Sequence, residues 1–346
     1  MTRSEPQDPL DELAVLVNAA AASSRSMVLL VGPPLSGITR AMYETAMSQL
    51  SQARLVQWTA GELAEAHAQK RLDARYGTGL FLQWMDDLSP ADLVLLGHGA
   101  LADVLPSAVV LASVNAGWYE RLLEHPSAIT APARTVLMEY ADRVTVPFAM
   151  TSRERSWLRA QGYLVSKGIA ESLVGGEVLV KHYRKAARTN PRGQLLVQAA
   201  VDARRCGIHR PFSEDELMAL WLACGGEDAD AFQQALDWAS TPPEGTSTGL
   251  IFPAGGDPSR GWRPLAYAAG ADDGDHGHKP RPLTSRRWQE VTGALSKKAD
   301  QYALGIAAHL HGEQATAAFA LWQAAGGAGA VARAALRALD RIEDLA

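Results

Sequence analysis

An unbroken apolar run at 27–31 (MVLLV) leads into a Gly-Pro-Pro turn and then into a helical pattern over 38–50. This strand-turn-helix constrains the fold more than any other stretch. A short run bounded by turn residues fits a strand buried on both faces, the situation of a parallel sheet. The alternation continues: strands are expected at 54–59, 80–87, 107–113 and 142–150, and helices at 62–76 and 118–123. A helix at 9–22 precedes them, with Leu10, Leu13, Leu16 and Val17 on one face, and the polar residues 23–26 end it. Strand-helix alternation over this length predicts a doubly wound α/β domain, a mostly parallel sheet with helices on both faces.

Beyond residue 151 the strand signals nearly vanish. Helices are expected at 152–161, 167–173, 176–187, 193–204, 213–224 and 228–239, then at 284–294, 297–310, 312–324 and 328–344. Between the two groups, 240–283 reads as a loop with short strands, the least ordered-looking part of the chain. The expected division is an N-terminal helix (1–24), an α/β domain (25–150), a helical domain (151–210), a winged-helix-like segment with its loop (211–283) and C-terminal helical hairpins (284–346).

Composition removes several classes. The formal net charge of −5 gives no global basic field for nucleic acid or anionic membrane. Two cysteines, Cys206 and Cys224, cannot build a disulfide scaffold or a four-thiolate zinc site, and both read as small buried hydrophobes. The uncharged stretch 104–119 holds a proline, an asparagine and two serines and falls short of a membrane span. The N-terminus carries acids and prolines where a signal peptide needs an apolar run, so the expected location is cytoplasmic. The nine tryptophans are scattered, as core anchors would be.

Chemistry concentrates at the first turn. Gly32, Pro33, Pro34, Leu35, Ser36, Gly37, Ile38 and Thr39 follow the phosphate-loop pattern G-x-x-x-x-G-K-[ST] in both glycines and the threonine, but Ile38 occupies the lysine position. The glycines permit a nest of N–H groups at a helix N-terminus, and Thr39 offers a hydroxyl for Mg²⁺. Isoleucine cannot place a charge on the β- and γ-phosphates. Arg40, two residues on, is the nearest other cation and falls on a different side of the helix. The competing interpretation is a plain glycine-rich strand-helix turn. About fifty residues later the apolar run LFLQWMDDL ends in Asp86 and Asp87. There the first acid, with Thr39, would hold a metal shell and the second would orient a water; a strand ending in solvent carries acids equally well. A third strand, SAVVLASVNAG, leads to Asn115, a sensor-like position or simply a polar turn residue.

Taken together, MVLLVGPPLSGITRAMYETA, WMDDL and VVLASVNAGWYERL resemble actinobacterial P-loop NTPases of the STAND and AAA+-like classes. The likeness continues through GIAESLVGGEVLVKHYRKA, LVQAAVDARRCG and QQALDWAS. The stretch 286–330 resembles that group's closing, TPR-like helical repeats. The resemblance implies Mg-ATP or Mg-GTP as ligand, bound at residues 32–40 with Asp86 and Asp87 as catalytic acids; the residues themselves assign no cofactor. This chain departs from the group at the lysine and in lacking a charged sensor near Asn115. The expected protein is therefore a degenerate P-loop protein, a signalling or scaffold subunit working through a protein partner or self-association. The alternatives are a slow ATPase or GTPase switch using Thr39, Asp86 and Asp87, and a helical-repeat interaction protein whose α/β domain is structural.

Smaller signals are weaker. The segment 211–240 followed by GLIFP and WRPLAYA fits a winged helix, but its second helix carries four acids and no base, which disfavours DNA. Asp272, Asp273, Asp275, His276 and His278 read as a solvated loop rather than a metal site, and 205–210 (RCGIHR) as basic decoration of a helix C-terminus. No Ser-His-Asp or Cys-His arrangement is legible, and G-x-S-x-G is absent.

Overall fold

The structure is a computed structural model that describes residues 9–23, 26–71, 79–163 and 165–326. The chain divides into two compact units, Met1–Pro33 with Gly37–Pro147, and Pro34–Ser36 with Phe148–Ala346.

The first unit is an α/β sandwich. In chain order it contains α1 (Pro9–Ser23), β1 (Met27–Gly32), α2 (Ile38–Gln49), β2 (Arg54–Val56), α3 (Ala60–Ala68), β3 (Phe81–Leu88), α4 (Pro90–Val104), β4 (Ala108–Asn115), α5 (Ala116–Glu124), α6 (Ala131–Thr135) and β5 (Ala141–Thr145). The five strands form one parallel sheet in the order β2-β3-β4-β1-β5. Every residue of β1 is buried, and so is all of β4 before Asn115, so helices cover both faces of the centre. On one face Leu13, Val17 and Ala20 of α1 and Met42 and Ala46 of α2 close over Val28, Leu30, Val109 and Leu111.

The expected alternation is present with shifted ends. The strand expected at 54–59 is only Arg54–Val56, and the one expected at 142–150 stops at Thr145. The helix expected at 62–76 starts earlier, at Ala60, and ends at Ala68; residues 72–76 lie outside the described residues. An unexpected helix is α4. Its start is written in Ser89-Pro90-Ala91-Asp92: the Ser89 side chain accepts from the Asp92 N–H while the Asp92 carboxylate accepts from the Ser89 N–H, and Pro90 occupies the first turn.

The second unit is mostly helical: α7 (Ser152–Ala160), α8 (Ile169–Val174), α9 (Gly176–Thr189), α10 (Pro191–Arg205), α11 (Glu214–Ala223), α12 (Ala229–Ser240), α13 (Ala266–Asp273), α14 (Ser285–Ala294), α15 (Lys298–Leu310) and α16 (Gln314–Ala325). Two short antiparallel strands, β6 (Ile251–Pro253) and β7 (Trp262–Pro264), precede α13. Helix α10 is the axis of this unit. Leu196, Val197, Ala199, Ala200, Val201 and Ala203 are all buried, and α9, α11, α12, α13 and α14 pack around it. After α10 comes an isolated bridge from Phe212 to Trp262, then α11, α12, β6 and β7. The helix expected at 328–344 lies outside the described residues.

Three sequence expectations are overturned here. The stretch 240–283 is not simply a loop, because it contains α13. Its acids are not all solvated. Asp272 is buried, accepts from the Tyr183 hydroxyl at 2.9 Å and from Arg281 Nε at 2.9 Å, and lies with Asp202, Arg205 and Arg287 in one ionic knot. The arginines of 205–210 do not decorate a helix end either. Arg205 Nε lies 2.7 Å from Asp273 Oδ1, and Arg210 is clamped between Glu216 and Asp300. Asp273 and Asp300 lie 68 and 90 residues from the arginines they bind, which a local reading cannot find. Of the cysteines, Cys206 is buried and Cys224 half-buried; burial raises both thiols, Cys224 to about 11. Trp221 and Trp288 are core anchors, whereas Trp157 and Trp322 are exposed. Among the described residues no helix is long and apolar enough to cross a membrane, and no group of three metal-ligating side chains is found.

Glu216 makes acid sensitivity predictable. Burial would raise its pKa, but bonds from Arg210 and Lys297 and from the Ser213 N–H hold it down at about 2 against an ordinary 4.5. A carboxylate depressed by folding stabilises the native state above its unfolded pKa, and that contribution is lost as pH falls through the folded value. Chemical denaturation at stepped pH should therefore show wild type losing stability between about pH 4.5 and pH 2. Glu216→Gln is expected to be less stable near neutrality and flatter across that window; an equal slope in both proteins would refute this.

Candidate functional site

Strand order determines where a site can form. The connection leaving β1 runs past β4 and β3 to the far edge, whereas the one leaving β4 runs past β1 to β5. Adjacent strands whose connections leave in opposite directions open a crevice at their carboxyl ends. Gly32 and Asn115 are paired there, at the ends of β1 and β4.

From Gly32 the chain enters the loop. Pro33 and Pro34 carry no N–H, so the main-chain donors come from Leu35 onward. Leu35 (φ 60°) and Gly37 (φ 91°) both have left-handed backbone, and Gly37 starts α2 with no side-chain cap. The first N–H groups of α2 are thus left without a side-chain acceptor, the arrangement that suits an anion. Ser36 Oγ, in the same loop, is buried without a hydrogen-bond partner. The lysine position behaves differently. Ile38 is partly buried and packs against the apolar cluster of α1, β1 and α2. Arg40 does not replace the missing charge: its Nε lies 2.7 Å from Glu44 Oε1, and its side chain is 68% exposed.

The acids are set by a bulge. Met85 pairs with Ala112 and Leu88 with Val114, so Asp86 and Asp87 together oppose Ser113. Asp87 adopts φ 61°, a costly conformation for a residue with a Cβ. Ser113 fills the bulge. Its hydroxyl donates to Asp86 Oδ1 at 2.5 Å and accepts from the Asp87 N–H at 2.7 Å. The other carboxylate oxygen, Oδ2, accepts from Thr39 Oγ1 at 2.8 Å. Thr39, Asp86 and Ser113 therefore form one hydroxyl-carboxylate-hydroxyl chain across α2, β3 and β4. Asn115 stands beside Gly32, but its Oδ1 accepts from the Gly117 N–H at 2.8 Å and caps α5. Ser113, not Asn115, is the β4 residue that reaches the acids, and sequence reasoning does not find it.

The donor set can be tested against a magnesium nucleotide. The Thr39–Asp86 pair has the oxygen chemistry a magnesium ion takes, and the loop backbone suits a phosphate. The charge balance does not fit: the β3 bulge brings two acids, the loop 32–39 contains no cation, and Arg40 is paired with Glu44. At about 4 Å and an effective dielectric near 20, one lysine-phosphate pair contributes about 4 kcal/mol before desolvation. Its absence removes on the order of 10³ in affinity, so these residues support no chemical step through a nucleotide.

No protein-family model matches this chain, and no curated protein matches it.

Proposed function

We propose that the chain is a degenerate P-loop protein of the STAND/AAA+-like kind, a signalling or scaffold subunit that works through protein contacts, with nucleotide binding weak or lost. The observation that carries this is Ile38, a partly buried apolar residue packed against the core where the phosphate-loop lysine would stand. The order α10, bridge, α11, α12, β6, β7 supports a winged-helix segment after the α/β unit. Ala229, Asp230, Gln233, Gln234 and Asp237 form the exposed face of α12, without a base, which favours a protein contact over DNA.

The second reading, a slow ATPase or GTPase, rests on the Thr39–Asp86 bond, an intact metal-side pair. One pair of measurements separates the two. Titration calorimetry with Mg-ATP and Mg-GTP is expected to give no binding tighter than about 10 µM, roughly −7 kcal/mol. Phosphate release is expected to be equally absent in wild type and Asp86→Ala. Tighter binding, or release that Asp86→Ala abolishes, establishes the switch instead.

A further inference from the structure

Helices α9 and α12 of the second unit both pack on α10 and touch through the rings of His182 and Trp238, 4.9 Å apart and 22° from parallel. Their outward faces carry opposite charge. On α9, Leu179, Val180, Tyr183 and Ala186 face inward, which leaves Lys181, Lys185 and Arg188 exposed on the far side, at helical intervals of 4 and 3. Among the described residues none of the three enters an ion pair, whereas the cations beside them are engaged. Arg184 donates to the Ala271 and Lys279 carbonyls at 3.2 and 3.1 Å, and Arg192 to Glu227 at 3.1 Å. On α12, Phe232, Ala235, Leu236 and Ala239 face inward, and Asp230 and Asp237 stand exposed, equally without an ion pair among the described residues, with Gln233 and Gln234 between them. Lys181 and Arg188 have the same spacing as Asp230 and Asp237, two helical turns, so each stripe is about 10 Å long.

We infer that this surface takes a second copy of the chain, with α9 of each copy set against α12 of the other. The inference rests on the protein-contact reading of α12. Equal spacing lets the ends of the basic stripe, Lys181 and Arg188, meet the two aspartates of the acidic one, with Lys185 opposite the glutamines. Because the two stripes are neighbours on one unit, a two-fold axis near the His182–Trp238 stack makes the contact twice, the self-complementary interface of a closed dimer. A polyanion or a purely basic partner would engage one stripe and be repelled by the other. Exposed ion pairs contribute little singly and are screened by salt, so the dimer is expected to be weak, with a Kd on the order of 10 µM at low ionic strength.

Charge reversal on the full chain, read by sedimentation, tests this. Lys181→Glu with Arg188→Glu makes both stripes acidic, and Asp230→Lys with Asp237→Lys makes both basic. All four positions are exposed, and circular dichroism checks that each variant folds. Wild type is expected to dimerise, and to do so about tenfold more weakly when salt rises from about 0.05 M to about 0.5 M. Each double variant alone is expected to be monomeric. An equimolar mixture of the two should restore the dimer, because every basic stripe then meets an acidic one. Wild type that stays monomeric at about 200 µM, well above the expected Kd, overturns the assignment. So does a dimer that survives either reversal, or a mixture that stays monomeric. A monomeric wild type that binds duplex DNA, with binding lost in Lys181→Glu/Arg188→Glu, overturns it in favour of a polyanion. None of these results bears on nucleotide titration, so this inference can fail while the reading of Ile38 stands.

Discussion

Ile38→Lys is expected to turn the weak or lost nucleotide binding proposed for this chain into binding of Mg-ATP or Mg-GTP in the micromolar range. The gain is on the order of 10²–10³, the Coulomb contribution of one cation less the cost of desolvating it. The rest of the frame is already in place: the left-handed Gly37, the uncapped start of α2, and Thr39 held 2.8 Å from Asp86. The cost falls on stability, since Ile38 leaves the cluster formed with α1 and β1, and a loss of about 1 kcal/mol is expected. Ile38→Met controls for size and should bind nothing. Calorimetry with and without EDTA reads the result, and Asp86→Ala added to Ile38→Lys should remove the magnesium dependence. A folded Ile38→Lys that stays silent would mean the turn at 32–39 is only a strand-helix connection.

The contrast between Ile38 and Ser113 shows what a sequence exposes. The missing lysine is legible because a phosphate loop is a local object: an apolar strand, a fixed glycine spacing and a helix start, all within residues 27–39. Asp86 and Asp87 are legible for the same reason, as the polar end of one apolar run. Ser113 is not, because its role needs β4 to lie between β1 and β3 and needs a bulge at 86–87. Strand order is set by crossover connections, and no residue in β4 announces its neighbours. Helix α4 has its capping residues 89–92 in plain view, but its apolar interior and its Gly97, whose backbone is not helical, blur the periodic pattern that marks a helix. The ionic knot of the second unit lies furthest from sequence reasoning. Arg281 and Asp202 are 79 residues apart, and each alone looks like an ordinary surface charge.

That knot supplies the largest stability effect expected in the molecule. Asp202 is fully buried on α10, the helix around which the second unit is built. It accepts from Arg281 at 2.6 and 3.0 Å and from Arg205 at 3.2 Å, and Arg287 Nε lies 3.1 Å away. Three guanidinium groups therefore depend on one carboxylate, and Asp272 and Asp273 complete the balance. Asp202→Ala removes the acceptor and leaves the cations facing one another, so a loss of about 3–5 kcal/mol is expected. Asp202→Asn keeps an oxygen acceptor without the charge and should fall between the two. The exposed pair Arg40–Glu44 is the internal standard: it has a similar contact distance, 2.7 Å, but sits on a solvated helix face, and Arg40→Ala should cost no more than about 0.5 kcal/mol. Denaturant unfolding followed by tryptophan fluorescence measures all three variants, since Trp221 and Trp288 are buried in the same unit. If Asp202→Ala costs no more than Arg40→Ala, the knot is an ornament of the fold and burial does not set the worth of its charges.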